Sequence, residues 1–191
     1  MKPRSFDYLK AGSTEEALAA LAEGGDDARI IAGGMSLVPM MNFRLVEPEI
    51  LIDISKIADS NYIREDGNMV EIGSSTRQVQ LEKWDGLAEK LPMLAAAFPF
   101  IGHYQTRARG TVCGSLAHAD PSSELPLSLA TLGGEVVLRS KSGERRLSAA
   151  DFQTGMLSTA KRADEIVSAA RYPKREAGAG YAFNEMAQRR G

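Results

Sequence analysis

The sequence contains little cysteine and histidine, no excess of basic charge and no long apolar run. Its one cysteine, Cys113, cannot form an internal disulfide, which favours a reducing compartment. The 23 basic residues are scattered and the formal net charge is -2, so the chain lacks the basic stripe that nucleic-acid binding needs. No segment approaches the roughly 20 apolar residues of a membrane span, and none resembles a signal peptide. We therefore expect a cytoplasmic protein with no membrane span and no nucleic-acid partner.

The first part of the chain has the pattern of a small β-α-β unit. Ser13 and Glu16 form a capping box before a helix that residues 24–25 end. Residues 28–32 and 49–54 have the β-branched, largely apolar composition of buried strands. Because a glycine turn and a helix start lie between them, parallel pairing of these two strands is expected.

After Ser55 the pattern changes to antiparallel sheet with helices. Residues 66–68, Asp-Gly-Asn, separate two strand segments and predict a hairpin. Residues 76–98 are helical in composition, and Gly86 and Pro92 predict a division into two pieces. The remaining predicted elements are a helix at residues 122–132, ended by a glycine pair, and strands at residues 135–139 and 165–169.

Two glycine-containing loops are the candidates for ligand binding. The first is Ala32-Gly33-Gly34-Met35-Ser36, at a strand-to-helix turn, where glycine lets backbone amides approach a phosphate. It lacks the third glycine and the downstream acid of the dinucleotide fingerprint, so a Rossmann NAD site is a poor fit. A tight left-handed turn without a ligand is the alternative interpretation.

The second candidate loop is residues 105–115, which contain Arg107 and Arg109 and end in Thr111-Val112-Cys113-Gly114-Ser115. Taken alone, it is equally well interpreted as an ordinary irregular loop with solvated arginines. One such loop in each differently built half is the arrangement that holds a pyrophosphate from both sides.

The segments AGGMSLVPMM and TRARGTVCGSLAHADPSSELP resemble the two signature loops of the FAD-binding subunits in the xanthine dehydrogenase and carbon monoxide dehydrogenase family. The segments KPRSFDYLKAGSTEEALAAL, NFRLVEPEILIDIS and EIGSSTR support the resemblance, which covers essentially the whole chain. It implies an α+β fold, the two-subdomain FAD-binding fold of the PCMH (vanillyl-alcohol-oxidase-like) type. The expected subdomains are residues 1–55 (β-α-β) and 56–175 (antiparallel sheet plus helices), followed by a tail at residues 176–191.

The resemblance also implies a function, which is electron transfer by a flavoprotein subunit. A molybdenum cofactor in a large partner subunit and iron-sulfur clusters in a small one would supply electrons to FAD, which passes them to an external acceptor. No catalytic residue and no metal ligand is expected in this chain. The positions expected to bind FAD non-covalently are Ala32, Gly33, Gly34, Met35, Ser36, Ile101, Thr111, Val112, Cys113, Gly114, Ser115 and Glu124.

Two departures from the family pattern leave alternatives open. Cys113 stands where family members have glycine, and a positive φ there would cost a side chain on the order of 1 kcal/mol. A buried apolar role and a covalent flavin link are both considered for this thiol. Family members also continue into a C-terminal domain, which is expected to be absent here, as in a fragment or a minimal subunit. The competing functions are a self-sufficient flavin oxidase or reductase and a non-catalytic assembly module without flavin.

Overall fold

Two sheets organise the chain in the computed structural model, which describes residues 1–186; the last part of the expected tail, residues 187–191, lies outside the described residues. The first sheet is parallel, in the order β1-β3-β2, and consists of β1 (Asp7–Lys10), β2 (Ala28–Ile31) and β3 (Ile50–Asp53). The second is antiparallel, in the order β4-β5-β10-β6-β7, and consists of β4 (Ile63–Asp66), β5 (Met69–Gly73), β6 (Glu135–Ser140), β7 (Gly143–Ser148) and β10 (Ile166–Pro173). A separate hairpin pairs β8 (Gln153–Gly155) with β9 (Ser158–Thr159).

Most helices are short and connect the strands of these sheets. Those of the described residues are α1 (Thr14–Gly24), α2 (Leu37–Asn42), α3 (Gln78–Glu82), α4 (Leu87–Lys90), α5 (Pro92–Ala97), α6 (Tyr104–Arg109), α7 (Val112–His118), α8 (Glu124–Thr131) and α9 (Ala149–Phe152). No helix within residues 1–186 has the length and apolar content to cross a membrane.

Helix α1 forms where its capping signals predicted. The Ser13 side chain accepts a hydrogen bond from the Glu16 N–H at 3.1 Å, and the Glu16 carboxylate accepts one from the Gly12 N–H at 2.7 Å. Gly25 ends the helix with a φ of 52°, a conformation that costs glycine no Cβ clash. The sequence prediction of this helix is confirmed at both ends.

The parallel sheet contains one more strand than predicted. β2 and β3 pair in parallel as expected, but β1 also pairs with β3, on its other side. Three of the four residues of β1 are exposed, with only Leu9 partly buried. A strand this short and polar has almost no alternating pattern, which is why the sequence did not indicate it.

The antiparallel part follows the predicted order, with two corrections. Residues 76–98 form three α-helices instead of two, because Gly86 precedes α4 and Pro92 occupies the first turn of α5. Residues 105–115 are not an irregular loop, since they contribute to α6 and to the first turns of α7. The predicted hairpin is confirmed, with Gly67 at a φ of 56° in its turn.

The buried apolar residues form two clusters. The larger packs one face of the antiparallel sheet against helices and includes Val70, Leu116 and Tyr172. The smaller packs α1 against the parallel sheet, and Ile166 of β10 belongs to it. Because β10 is the central strand of the antiparallel sheet, Ile166 joins the two sheets into one packed unit.

Candidate functional site

The first glycine loop lies between β2 and α2 and presents unpaired backbone donors. Gly34 has a φ of 71°, which turns the chain between the strand and the helix. The backbone N–H groups of residues 33–36 donate no hydrogen bond to any acceptor within residues 1–186. Ser36 precedes α2, yet its side chain makes no capping hydrogen bond. This loop therefore has amide and hydroxyl donors available for an anionic ligand.

The second glycine loop begins α7. Thr111 is extended and its Oγ1 accepts a hydrogen bond from the Gly114 N–H at 3.0 Å, which caps the helix. A Cβ on Gly114 would lie 2.6 Å from that Oγ1, so this position favours glycine. The Ser115 hydroxyl lies 2.8 Å from the Ser123 hydroxyl, which ties α7 to the residue before α8.

The two loops touch through their backbones. A Cβ built on Gly33 would lie 2.7 Å from Gly110 Cα and 2.9 Å from the carbonyl carbon of Arg109, with the carbonyl oxygen closer still. Real Cβ atoms do not make such contacts, so only glycine fits at residue 33 in this arrangement. The structure thus brings together the two loops that the sequence singled out.

A small cleft of about 50 Å³ opens where the loops meet, at the carboxyl ends of β2 and β3. This edge of a parallel sheet is a common ligand site. The cleft is lined by Ala32, Gly33, Ser55, Ser75, Arg77, Arg109 and Thr111. The lining residues include three with hydroxyl groups, two arginines and no acidic residue, a composition that suits an anion. The cleft takes a group of phosphate size, and a ring system would have to extend over the open surface beside it.

A larger cleft of about 250 Å³ lies on the other face of the antiparallel sheet and has mixed charge. Its three arginines are balanced by three acids, and the charged residues are Asp59, Arg64, Glu71, Arg139, Glu144 and Arg146. Glu71 accepts hydrogen bonds from Tyr62, Arg64 and Arg171. Burial raises the pKa of Glu71, but these hydrogen bonds and the charge of Arg64 outweigh it, so the pKa lies below its usual value. The cleft selects no single class of ligand.

Cys113 does not adopt the conformation that a glycine requirement would imply. It lies inside α7 and is absent from the residues with positive φ, so the expected strain does not arise. Its side chain is 2% exposed and its thiol donates to the Ile72 carbonyl at 3.5 Å. Burial raises the pKa of this thiol to about 12. A thiol in this state is a poor nucleophile, which favours the buried apolar role over a covalent flavin link.

Other candidate residues lie around the second loop. Ile101 is 5% exposed and belongs to the larger core, and Arg107 donates to its carbonyl oxygen at 2.9 Å. Arg107 also pairs with Glu82 at 2.9 Å, so it holds the chain before α6 in place and is not available to a phosphate. Glu124 opens α8 and is partly buried; burial and the nearby Glu185 carboxylate raise its pKa.

Sequence reasoning missed part of the cleft. Ser55, Ser75 and Arg77 line it, and their signal was present: Ser55 follows a predicted parallel strand, and the EIGSSTR segment supported the resemblance. No group of three or more metal-binding side chains occurs in the described part of the chain. His103 precedes α6, and His118 is the last residue of α7.

Comparison with known proteins places these loops in a family. Residues 4–175 match the family described as the FAD binding domain in molybdopterin dehydrogenase. The chain is 41% identical to the 6-hydroxypseudooxynicotine dehydrogenase complex subunit alpha of Paenarthrobacter nicotinovorans, and the match covers all of this chain and 64% of that subunit. It is 39% identical to the carbon monoxide dehydrogenase medium chain of Afipia carboxidovorans, and the match covers all of this chain and 66% of that medium chain. A solved structure of carbon monoxide dehydrogenase from Hydrogenophaga pseudoflava matches all of this chain and 67% of its own, with a TM-score of 0.96 at 37% identity.

Proposed function

Because the chain belongs to the family of FAD-binding domains in molybdopterin dehydrogenases, we propose that it transfers electrons through FAD within a molybdenum-containing hydroxylase or dehydrogenase complex. In this proposal a large partner subunit holds the molybdenum cofactor and a small one holds iron-sulfur clusters. Bound FAD supplies the redox chemistry and delivers electrons to an external acceptor. The chain itself binds and orients the cofactor.

The observation that carries the proposal is the backbone contact of Gly33 with Arg109 and Gly110, beside unpaired amides of the first loop. Such amides, in a cleft that two arginines line, suit the charge of a diphosphate. The residues proposed to hold FAD are Ala32, Gly33, Gly34, Met35, Ser36, Ile101, Thr111, Val112, Cys113, Gly114, Ser115 and Glu124.

These residues have different tasks in the proposal. The N–H groups of residues 33–36 and the Ser36 hydroxyl would donate to phosphate oxygens. Thr111 uses its Oγ1 as the acceptor for the helix cap, which leaves its O–H free to donate. Glu124 would accept hydrogen bonds from FAD hydroxyls, because a carboxylate beside phosphates would repel them. Ile101 and its neighbours would contact the flavin ring from the core side.

The activity of the complete protein is also part of the proposal. The chain spans about two thirds, 64% and 66%, of the two curated relatives named above. These relatives are named as a subunit of a dehydrogenase complex and a medium chain, so we propose partners of the same kind here. We retain the division at residues 1–55 and 56–175 as the two parts that hold the cofactor between them.

The decisive experiment is titration of the flavin-free chain with FAD, followed by flavin fluorescence and absorbance. We expect saturable binding of one FAD, which riboflavin would not match because it lacks the diphosphate. Folded chain that binds no FAD would overturn the proposal and favour a non-catalytic module. Turnover of small alcohols or amines with dioxygen by the FAD-loaded chain alone would instead favour a self-sufficient oxidase.

A further inference from the structure

Two arginines that line the same cleft have no carboxylate within ion-pair distance among the described residues. On this basis we propose that Arg77 and Arg109 form the charge-neutralising part of the diphosphate site and make the cleft select a diphosphate-bearing ligand over an uncharged flavin. The proposal rests on the proposed function and deepens it, because it assigns a role to two residues that the expected FAD positions did not include.

The charge balance of the arginines carries the first step. Several arginines elsewhere lie within ion-pair distance of carboxylates: Arg64, Arg107, Arg139, Arg145 and Arg171. No carboxylate of the described residues lies within 4.0 Å of Arg77 or Arg109. Both residues line the same cleft. A chain with net charge -2 therefore places two uncompensated positive charges at one opening.

The backbone fixes the position of Arg77. The Gln78 N–H donates to the Gly110 carbonyl at 2.8 Å and the Val112 N–H donates to the Thr76 carbonyl at 3.1 Å. These bonds form an antiparallel bridge in which Arg77 lies directly opposite Thr111. Directly opposed residues in such a bridge project their side chains to the same face, so the guanidinium and the Thr111 hydroxyl share one wall.

The guanidinium of Arg77 is held but not saturated. Its Nη1 donates to the Ala108 carbonyl at 3.2 Å, and this is the one side-chain hydrogen bond that the described residues give it. Four of its five N–H groups therefore remain available. A guanidinium held at one corner presents a fixed fork, which suits bidentate binding of phosphate oxygens.

Arg109 approaches the cleft from the second loop. Gly110 and Thr111 are extended, with φ/ψ of -60°/144° and -104°/155°. Arg109 is the last residue of α6 and lies two residues before Thr111. The Arg109 side chain makes no ion pair or hydrogen bond with residues 1–186. Its carbonyl packs on Gly33, so the residue that carries this charge has its backbone at the junction of the two loops.

The test compares ligands that do and do not carry a diphosphate. The full chain and its Arg77→Gln and Arg109→Gln variants would be titrated with FAD, ADP and riboflavin at low and high ionic strength. Arg4→Gln is the matched control, because Arg4 is exposed and lies 3.6 Å from Glu47, away from the cleft. Circular dichroism and urea unfolding check the fold, and Arg77→Lys tests whether charge alone restores binding.

We expect each glutamine variant to weaken FAD and ADP binding by about 10- to 100-fold, the value of a hydrogen bond to a charged group. Riboflavin affinity should not change, and the salt dependence of FAD binding should become weaker. Equal losses for FAD and riboflavin would show a merely structural role. Unchanged FAD and ADP affinity in both variants would overturn this inference and leave the proposed function standing.

Failure of the proposed function has a different signature. The wild-type chain could bind ADP, and bind it more weakly as either glutamine variant, yet bind no flavin. Electron transfer through FAD would then be rejected, and the diphosphate site would stand. If the folded wild-type chain bound neither FAD nor ADP, both proposals would be rejected.

Discussion

Replacing Gly33 with alanine perturbs the one contact that joins the two glycine loops. The new Cβ would lie 2.7 Å from Gly110 Cα and 2.9 Å from the carbonyl carbon of Arg109, both of them backbone atoms. A flexible side chain could rotate away from such a contact, but these atoms move only if one loop shifts as a whole. The loops must therefore separate or the strain must remain in the folded chain.

The magnitude follows from the cost of overpacking, which is typically about 1–3 kcal/mol. If the loops stay in contact, the free energy of unfolding falls by that amount. If they separate, the proposed phosphate site is lost from the ligand-free structure, and re-forming it reduces FAD affinity by about 5- to 150-fold. The same strain energy appears either as lost stability of the folded chain or as lost FAD affinity. A small fall in the free energy of unfolding therefore predicts a large fall in FAD affinity.

The assay combines FAD titration with urea unfolding of the Gly33→Ala chain. Gly180→Ala is the control, since a Cβ at Gly180 meets no atom within 4 Å and its φ is not positive. The control should match the wild type in both measurements. If Gly33→Ala also matched the wild type in both, the loops would not be in contact and the candidate site at their junction would be wrong.

Three further predictions concern the second loop and the charged sheet face. Cys113, whose thiol pKa is raised to about 12, should resist iodoacetamide at pH 8 in the folded chain and react in urea, as followed by mass spectrometry. Glu71 has a folded-state pKa below its usual value, so its contribution to stability is complete above the unfolded pKa of about 4.3 and is lost as pH falls through the folded pKa. Urea midpoints from pH 7 to pH 3 should therefore fall less in Glu71→Gln than in the exposed control Glu89→Gln. Gly114→Ala should destabilise the wild type by about 1 kcal/mol, because the new Cβ displaces the Thr111 side chain that caps α7. In the Thr111→Ala background the same change should stabilise the chain, because alanine favours helix over glycine. Equal effects of Gly114→Ala in the two backgrounds, measured by urea unfolding, would contradict the cap.

Elements with a local signal were predictable. The capping box of α1 and the Asp-Gly-Asn turn between β4 and β5 are decided by neighbouring residues, and both appear as expected. β1 has no such signal, because it forms only by pairing with β3, more than 40 residues away along the chain. α7 was hidden by Gly114, which disfavours a helix interior, although Thr111 three residues earlier is the cap that offsets it.

The sequence predicted the two glycine loops of the candidate site, but it did not predict the other residues that line the cleft. The glycine pair at the first strand-to-helix turn and the glycine-containing TVCGS segment are both visible in the sequence, and the structure brings the two loops together. Ser55 and Ser75 line the cleft only because β3 and β5 end beside it. Arg77 and Arg109 differ from paired arginines such as Arg107 only in having no carboxylate within reach. That difference depends on where carboxylates are placed in space, which a sequence pattern does not reveal.

The construction of the cleft links ligand binding to the contact between the two sheets. Gly33 follows a strand of the parallel sheet, whereas Arg109 and Gly110 belong to the part built on the antiparallel sheet. A ligand that bridges them binds only the docked form, and at 100 times its Kd such a ligand stabilises that form by about 2.7 kcal/mol. Because Ile166 packs in the smaller core while its strand lies in the larger sheet, the two parts should unfold together. FAD should therefore raise one cooperative urea transition; a transition that split in two, with FAD shifting only one part, would show that the cleft belongs to a single half.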